Sequence, residues 1–155
     1  MQLKKITSQL SEISKPKCED NQFHIAIEGT PVAQKQTRFA CACGKGRCYD
    51  PSAKDKTLIQ WKIKPHAPVS PYSCPVSLTI IFYMPIPKST SKKKRILMLS
   101  KAILPDKKPD EDNLAYLISN ALKGIVYDDD RRVCEKHVYK FYSDIPSTVI
   151  TVNPL

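Results

Sequence analysis

The stretch KKPDEDNLAYLISNALKGIVYDDDRRV, residues 107–133, decides how this chain is read. Six of the fifteen acidic residues fall in two of its tripeptides, Asp110-Glu111-Asp112 and Asp128-Asp129-Asp130, although the whole chain has a formal net charge of +10. Between them Leu114, Leu117, Ile118, Ala121 and Leu122 recur at i, i+3, i+4, i+7 and i+8, which is one face of an α-helix over 112–123. Gly124 stands where a glycine commonly ends a helix. GIVY, 124–127, then reads as an extended return. The helix is about 18 Å long at ~1.5 Å per residue, and the extended return to Asp129 covers about 16 Å at ~3.3 Å per residue. The second acidic tripeptide is therefore expected to come back beside the first.

Each cluster has an ordinary explanation on its own. Acids in a first helical turn oppose the helix dipole favourably, by roughly 0.3–1 kcal/mol each, and an acidic loop can simply face water. Together they are harder to dismiss, because three or four carboxylates within a few ångströms repel one another and some take up protons. A hard divalent cation removes that repulsion through oxygen ligands. It also polarises water and neutralises charge at a phosphorus. Carboxylates ringed by Lys and Arg are what hydrolysis of a phosphodiester needs.

The remainder of the chain sets the context. At 155 residues and 41% hydrophobic content it is long enough for one domain with a core. An excess of 25 Lys+Arg over 15 Asp+Glu favours a polyanionic partner, nucleic acid first. The longest apolar run, VSLTIIFYM at 76–84, is far short of the roughly 20 residues a bilayer span needs. MQLKKITSQLSEIS lacks the apolar centre of a signal peptide, so a cytoplasmic, intracellular protein with no membrane partner is expected. An intracellular chain leads one to expect reduced thiols. Cys41, Cys43 and Cys48 form the only tight cysteine group, CACGKGRC; as zinc ligands they need a distant fourth from Cys18, His24, His66 or Cys74. A glycine-containing turn with free thiols is the simpler reading.

Along the chain, residues 1–21 form a polar, Lys-rich extension with a weak Leu3/Ile6/Leu10/Ile13 stripe, and 22–155 form the domain. QFHIAIEG (22–29) alternates as a half-buried strand. A loop or hairpin follows, with Lys35, Arg38, Lys45 and Arg47 among Phe39 and Tyr49. Ser52 with Asp55 three residues on marks a helix start, with Leu58, Ile59 and Trp61 as its buried side. Residues 76–84 make the best strand, ended by Pro85 and Pro87. STSKKKRILMLSKAI (89–103) is a basic helix packed down by Ile96, Leu97, Leu99 and Ile103. VCEKHVYKFY (133–142) and STVITV (147–152) are two closing strands joined by a turn. This order predicts a small mixed α+β domain rather than an alternating dinucleotide fold.

K-P-D-E-D-N-L, a helix ending A-L-K-G-I-V-Y, and D-D-D-R-R-V together resemble the RusA family of Holliday junction resolvases. The likeness continues upstream through IEGTPVAQKQTRF, CYDPS and SKKKRILML, and covers roughly residues 22 to 152. It implies a RusA-like fold and a structure-selective endodeoxyribonuclease that uses Mg²⁺, with Mn²⁺ as a substitute, and acts as a homodimer on branched, four-way DNA. Matched residue by residue, it implies catalytic Asp110, Asp112 and Asp130, with Asp129 adjacent as a further metal ligand. Phosphate contacts are expected from Lys35, Arg38, Lys92, Lys93, Lys94, Arg95 and Lys108. The family often has a lysine four residues after the second aspartate, and this chain has Tyr116 there; Asn120 and Asp128 also depart from the pattern. A tyrosine donates a hydrogen bond but no charge at pH 7, which leaves Lys108 and Lys123 as candidate replacements. It also leaves two alternatives: a catalytically weakened binder of branched DNA, and a zinc-stabilised nucleic-acid-binding module.

Overall fold

The computed structural model describes residues 22–42 and 45–155. The N-terminal extension and the thiol of Cys43 lie outside them. A mixed sheet of β1 (Phe23–Glu28), β4 (Val76–Pro85), β5 (Val133–Ser143) and β6 (Ser147–Pro154) has the order β1-β6-β4-β5. A separate two-stranded hairpin, β2 (Arg38–Ala42) and β3 (Lys45–Tyr49), stands in the long connection after β1. Among the described residues three α-helices complete the fold: α1 (Ala53–Ile63), α2 (Lys92–Leu99) and α3 (Glu111–Leu122). The expected mixed α+β class is the one observed.

β4 is central because its composition suits burial. Val76, Leu78, Ile80, Phe82 and Met84 are buried on one face, against α3 residues Leu114, Ile118, Ala121 and Leu122. β4 runs parallel to β5, from Val76 opposite Val133 to Pro85 opposite Ser143, and antiparallel to β6. A parallel pair needs a crossover, and the chain between β4 and β5 supplies it through α2 and α3. The two closing strands are present but are not partners of each other. β4 lies between them, and Asp144 to Pro146 pass over its end. Pro85 and Pro87 allow this by stopping β4 at that point.

Two helices bury different residues from those expected. α1 buries Ile63 and partly buries Ile59, while Leu58 and Trp61 face solvent. At 100° per residue, positions 59 and 63 share a face that 58 and 61 do not. α2 is capped by Ser91, whose Oγ accepts from the Lys94 N–H at 3.4 Å. Of its apolar residues only Met98 is buried; Ile96, Leu97 and Leu99 are exposed. Cys74 is disulfide-bonded, contrary to the expectation of reduced thiols throughout. Among the described residues no helix is long and apolar enough to cross a membrane.

Candidate functional site

α3 forms where the periodicity places it, burying Leu114, Ala115, Leu117, Ile118, Ala121 and Leu122. Its exposed side carries Asp112, Asn113, Tyr116 and Lys123, with Asn120 half-exposed. Asp110 is the N-cap residue and Lys123 the C-cap. One polar stripe thus joins the two acidic tripeptides along a single helix.

The acidic tripeptides do not meet within the chain. GIVY is a tight turn rather than an extended return: Gly124 has φ +76°, and the Ile125 and Val126 N–H groups both donate to the Leu122 carbonyl, at 3.0 and 2.9 Å. The turn is held because Val126 and Tyr127 are fully buried. Backbone bonds to Tyr72, from Tyr72 N–H to Val126 O at 2.8 Å and from Asp128 N–H to Tyr72 O at 3.1 Å, fix it from below. Tyr127 also donates its hydroxyl to Ser119 O at 2.8 Å. Asp128 to Asp130 therefore stay at the C-terminal end of α3. Asp112 and Lys123 are eleven residues apart, about 16 Å along the axis at ~1.5 Å per residue. Among the described residues no three of His, Cys, Asp or Glu converge to hold a metal ion.

At the C-terminal end the acids are neutralised by their own chain. Lys123 Nζ lies 3.3 Å from Asp129 Oδ2 and 3.1 Å from Asp130 Oδ1. Arg132 takes both oxygens of Asp128, at 2.9 and 3.1 Å. Asp129 Oδ1 accepts from the Arg131 N–H at 3.0 Å and from its Nε at 2.9 Å. These Arg131 contacts, backbone first, hold the Asp129 carboxyl well below the usual carboxylate range. Arg132 lowers that of Asp128. Lys123, a candidate replacement for the missing lysine, is committed to this end.

The N-terminal end is open. Among the described residues Asp110, Glu111 and Asp112 make no ion pair within 4 Å, in contrast to the C-terminal trio. Desolvation, then the neighbouring charge of Asp112, push the Glu111 carboxyl up, and Lys136 and Lys140 partly oppose this. Lys140 Nζ donates to the carbonyls of Lys107 and Pro109 at 3.2 and 2.9 Å, pinning the loop that leads into Asp110. A cleft of about 530 Å³ opens here, lined by Glu111, Asp112, Ala115, Tyr116, Lys136 and Val138. Beyond Tyr116 a second cleft is lined by polar residues including Gln36, Asn113 and Asn120. The Gln34 N–H bonds Asn113 O at 2.9 Å and ties this loop to α3.

The expected phosphate-binding residues are all exposed. Lys35 lines the second cleft, 3.5 Å from Asp55. Lys108 is exposed two residues before Asp110, and Arg38 is exposed at the foot of the hairpin. Lys92, Lys93 and Lys94 are exposed along α2, whereas Arg95 is bonded to Asp144 at 2.7 Å. Lys136 and Lys140 were missed by sequence reasoning. The alternation of β5, with Lys136, Val138 and Lys140 two apart, was the available signal. Cys41 and Cys48 are exposed free thiols on β2 and β3. With Cys43 outside the described residues, the zinc reading gains no support.

The family model for the endodeoxyribonuclease RusA matches residues 28–153. The chain is also 35% identical over 133 residues to the uncharacterized protein YqaN of Bacillus subtilis (strain 168), covering 83% of this chain and 93% of that one.

Proposed function

The chain belongs to the RusA endodeoxyribonuclease family, and from that premise we propose that it is a Mg²⁺-dependent, structure-selective endonuclease resolving four-way DNA junctions as a homodimer. The observation that carries this reading is the split of the acids between the two ends of one exposed helical stripe. A two-fold axis crossing α3 near its middle sets two such helices antiparallel. Asp110 and Asp112 of one protomer then lie against Asp129 and Asp130 of the partner subunit, and the operation repeats at the other end. Each composite site gathers four carboxylates that neither chain gathers alone. Lys123 already sits between Asp129 and Asp130, which marks that spot as one where positive charge is stabilised.

A divalent cation held there, Mg²⁺ or its substitute Mn²⁺, supplies charge neutralisation and water activation at the phosphate. The chain's own part is to bind and orient the DNA. Lys35, Arg38, Lys92, Lys93, Lys94 and Lys108 hold backbone phosphates, contacts that carry register but little sequence information and weaken with salt. Arg95, tied to Asp144, fixes α2 and adds charge behind that row. Two sites related by a two-fold axis suit the paired nicks that release a junction symmetrically.

The test is incubation with a labelled four-way junction, with a linear duplex of the same sequence as control, in Mg²⁺. Paired nicks in the junction are expected, and Asp112→Asn is expected to lower the rate about 10³-fold. Nicking that survives in Asp112→Asn contradicts the assignment. Tyr116 in the lysine position supports a second reading, a protein that holds branched DNA without cutting it. A shifted but intact junction from the wild-type chain favours that one.

A further inference from the structure

We infer that Lys136 of β5 supplies the positive charge at the Asp112 end of the site, contacting the non-bridging oxygens of the phosphate to be cut, in the place that Tyr116 leaves uncharged. The inference rests on the endonuclease reading above and names a residue for it.

Three observations carry it. The first is placement: Lys136, Asp112 and Tyr116 line one cleft, with α3 as one wall and β5 as the other. The strand period explains how this arises, because Lys136 and Lys140 lie on the same side of β5 as Val138, which packs against the core beside α3. The second is availability. Lys123, Arg131 and Arg132 are each engaged by a carboxylate, and Lys140 by two carbonyls. Among the described residues the Lys136 side chain makes no ion pair within 4 Å and no hydrogen bond, and it is exposed. The third is position on the helix. Tyr116 lies one turn beyond Asp112, so a cation reaching the space in front of Tyr116 from the opposite wall faces whatever Asp112 faces. A four-carbon stem with a compact ammonium has the reach and the freedom to do this. Fixed positive charge beside a phosphoryl group that gains charge in the transition state acts on the rate more than on binding.

The experiment compares the full-length wild-type chain with Lys136→Ala, Lys136→Arg and the double variant Tyr116→Lys/Lys136→Ala. Each is scored by the single-turnover rate on a labelled four-way junction in Mg²⁺ and by junction affinity without divalent cation. Lys136 is exposed on β5, so the two single Lys136 variants are expected to melt at the wild-type value. Lys136→Ala should lose on the order of 100-fold in rate with junction affinity kept. Lys136→Arg should retain part of the rate, and the double variant should recover it, because a lysine returns to the same cleft from the helix side. Lys136→Ala nicking at the wild-type rate overturns the inference and leaves the endonuclease reading standing. So does a parallel loss of rate and affinity that Tyr116→Lys fails to rescue, since that makes Lys136 a backbone-holding contact only. A wild-type chain that binds the junction and never nicks it removes the endonuclease reading, and this inference with it.

Discussion

At the C-terminal end of α3 three aspartates face Lys123, Arg131 and Arg132 of their own chain; at the N-terminal end Asp110, Glu111 and Asp112 face an open cleft. The two trios have almost the same composition, so the difference lies in what the fold sets beside them. After Gly124 the chain turns back at once, and a cap, a short 3₁₀ turn and two arginines lie within reach of Asp128 and Asp129. Before Asp110, Lys140 spends its hydrogen bonds on the Lys107 and Pro109 carbonyls. One end is thus neutralised by side chains of its own chain and the other opens on a cleft without such partners. An acidic cluster therefore reads as functional or structural only once its counter-charges are located.

After Lys136, the largest effect expected from disturbing the open end without touching an acid comes from Lys140→Ala. Releasing the Lys107 and Pro109 carbonyls loosens the approach to Asp110, and junction nicking should fall about tenfold with affinity little changed. An unchanged rate means that the loop is held by other means. Tyr127→Phe probes the closed end. It deletes the hydroxyl that bonds Ser119 O and should cost about 1 kcal/mol, or about 3 °C in Tm, read by thermal unfolding. No loss implies that apolar burial alone seats the acidic turn.

The smallest effects have opposite signs at the two ends. The Asp129 carboxyl is depressed in the folded chain. Its contribution is present above the unfolded-state value of about 3.8 and fades as pH falls through the folded one. The Glu111 carboxyl is raised, so its ionised form weakens the fold at neutral pH, and protonation relieves this on acidification. In chelator, Asp129→Asn should melt lower than wild type at pH 7 and Glu111→Gln higher. The Glu111 difference should vanish towards about pH 3, whereas the Asp129 difference should only begin to shrink there, because its folded carboxyl is depressed further. Shifts of the same sign at both ends would erase the distinction drawn here.

Much of this was legible in the residues. The i, i+3, i+4 pattern gave α3 nearly to the residue, and the β-branched run at 76–84 gave the central strand. What misled was anything that depended on non-local burial. GIVY has the composition of a strand, yet Val126 and Tyr127 are drawn into the core against Tyr72, and this shortens the return. Leu58, Trp61, Ile96, Leu97 and Leu99 are apolar without lying on a buried face. β5 and β6 are adjacent in sequence and separated in the sheet, because β4 is the better buried partner for both. The separation of the acids follows from that buried turn, and the proposal of a composite site in a dimer rests on it.

Mixing subunits tests that need most directly. Asp112→Asn and Asp130→Asn chains, each inert by itself, are co-expressed with different tags and the heterodimer is isolated. If each site takes Asp110 and Asp112 from one protomer and Asp129 and Asp130 from the other, one site carries both lesions and the other carries neither. The heterodimer then nicks one strand of the junction at close to the wild-type rate per site. A heterodimer as inert as its parents would place all the acids of a site on one chain and contradict the account.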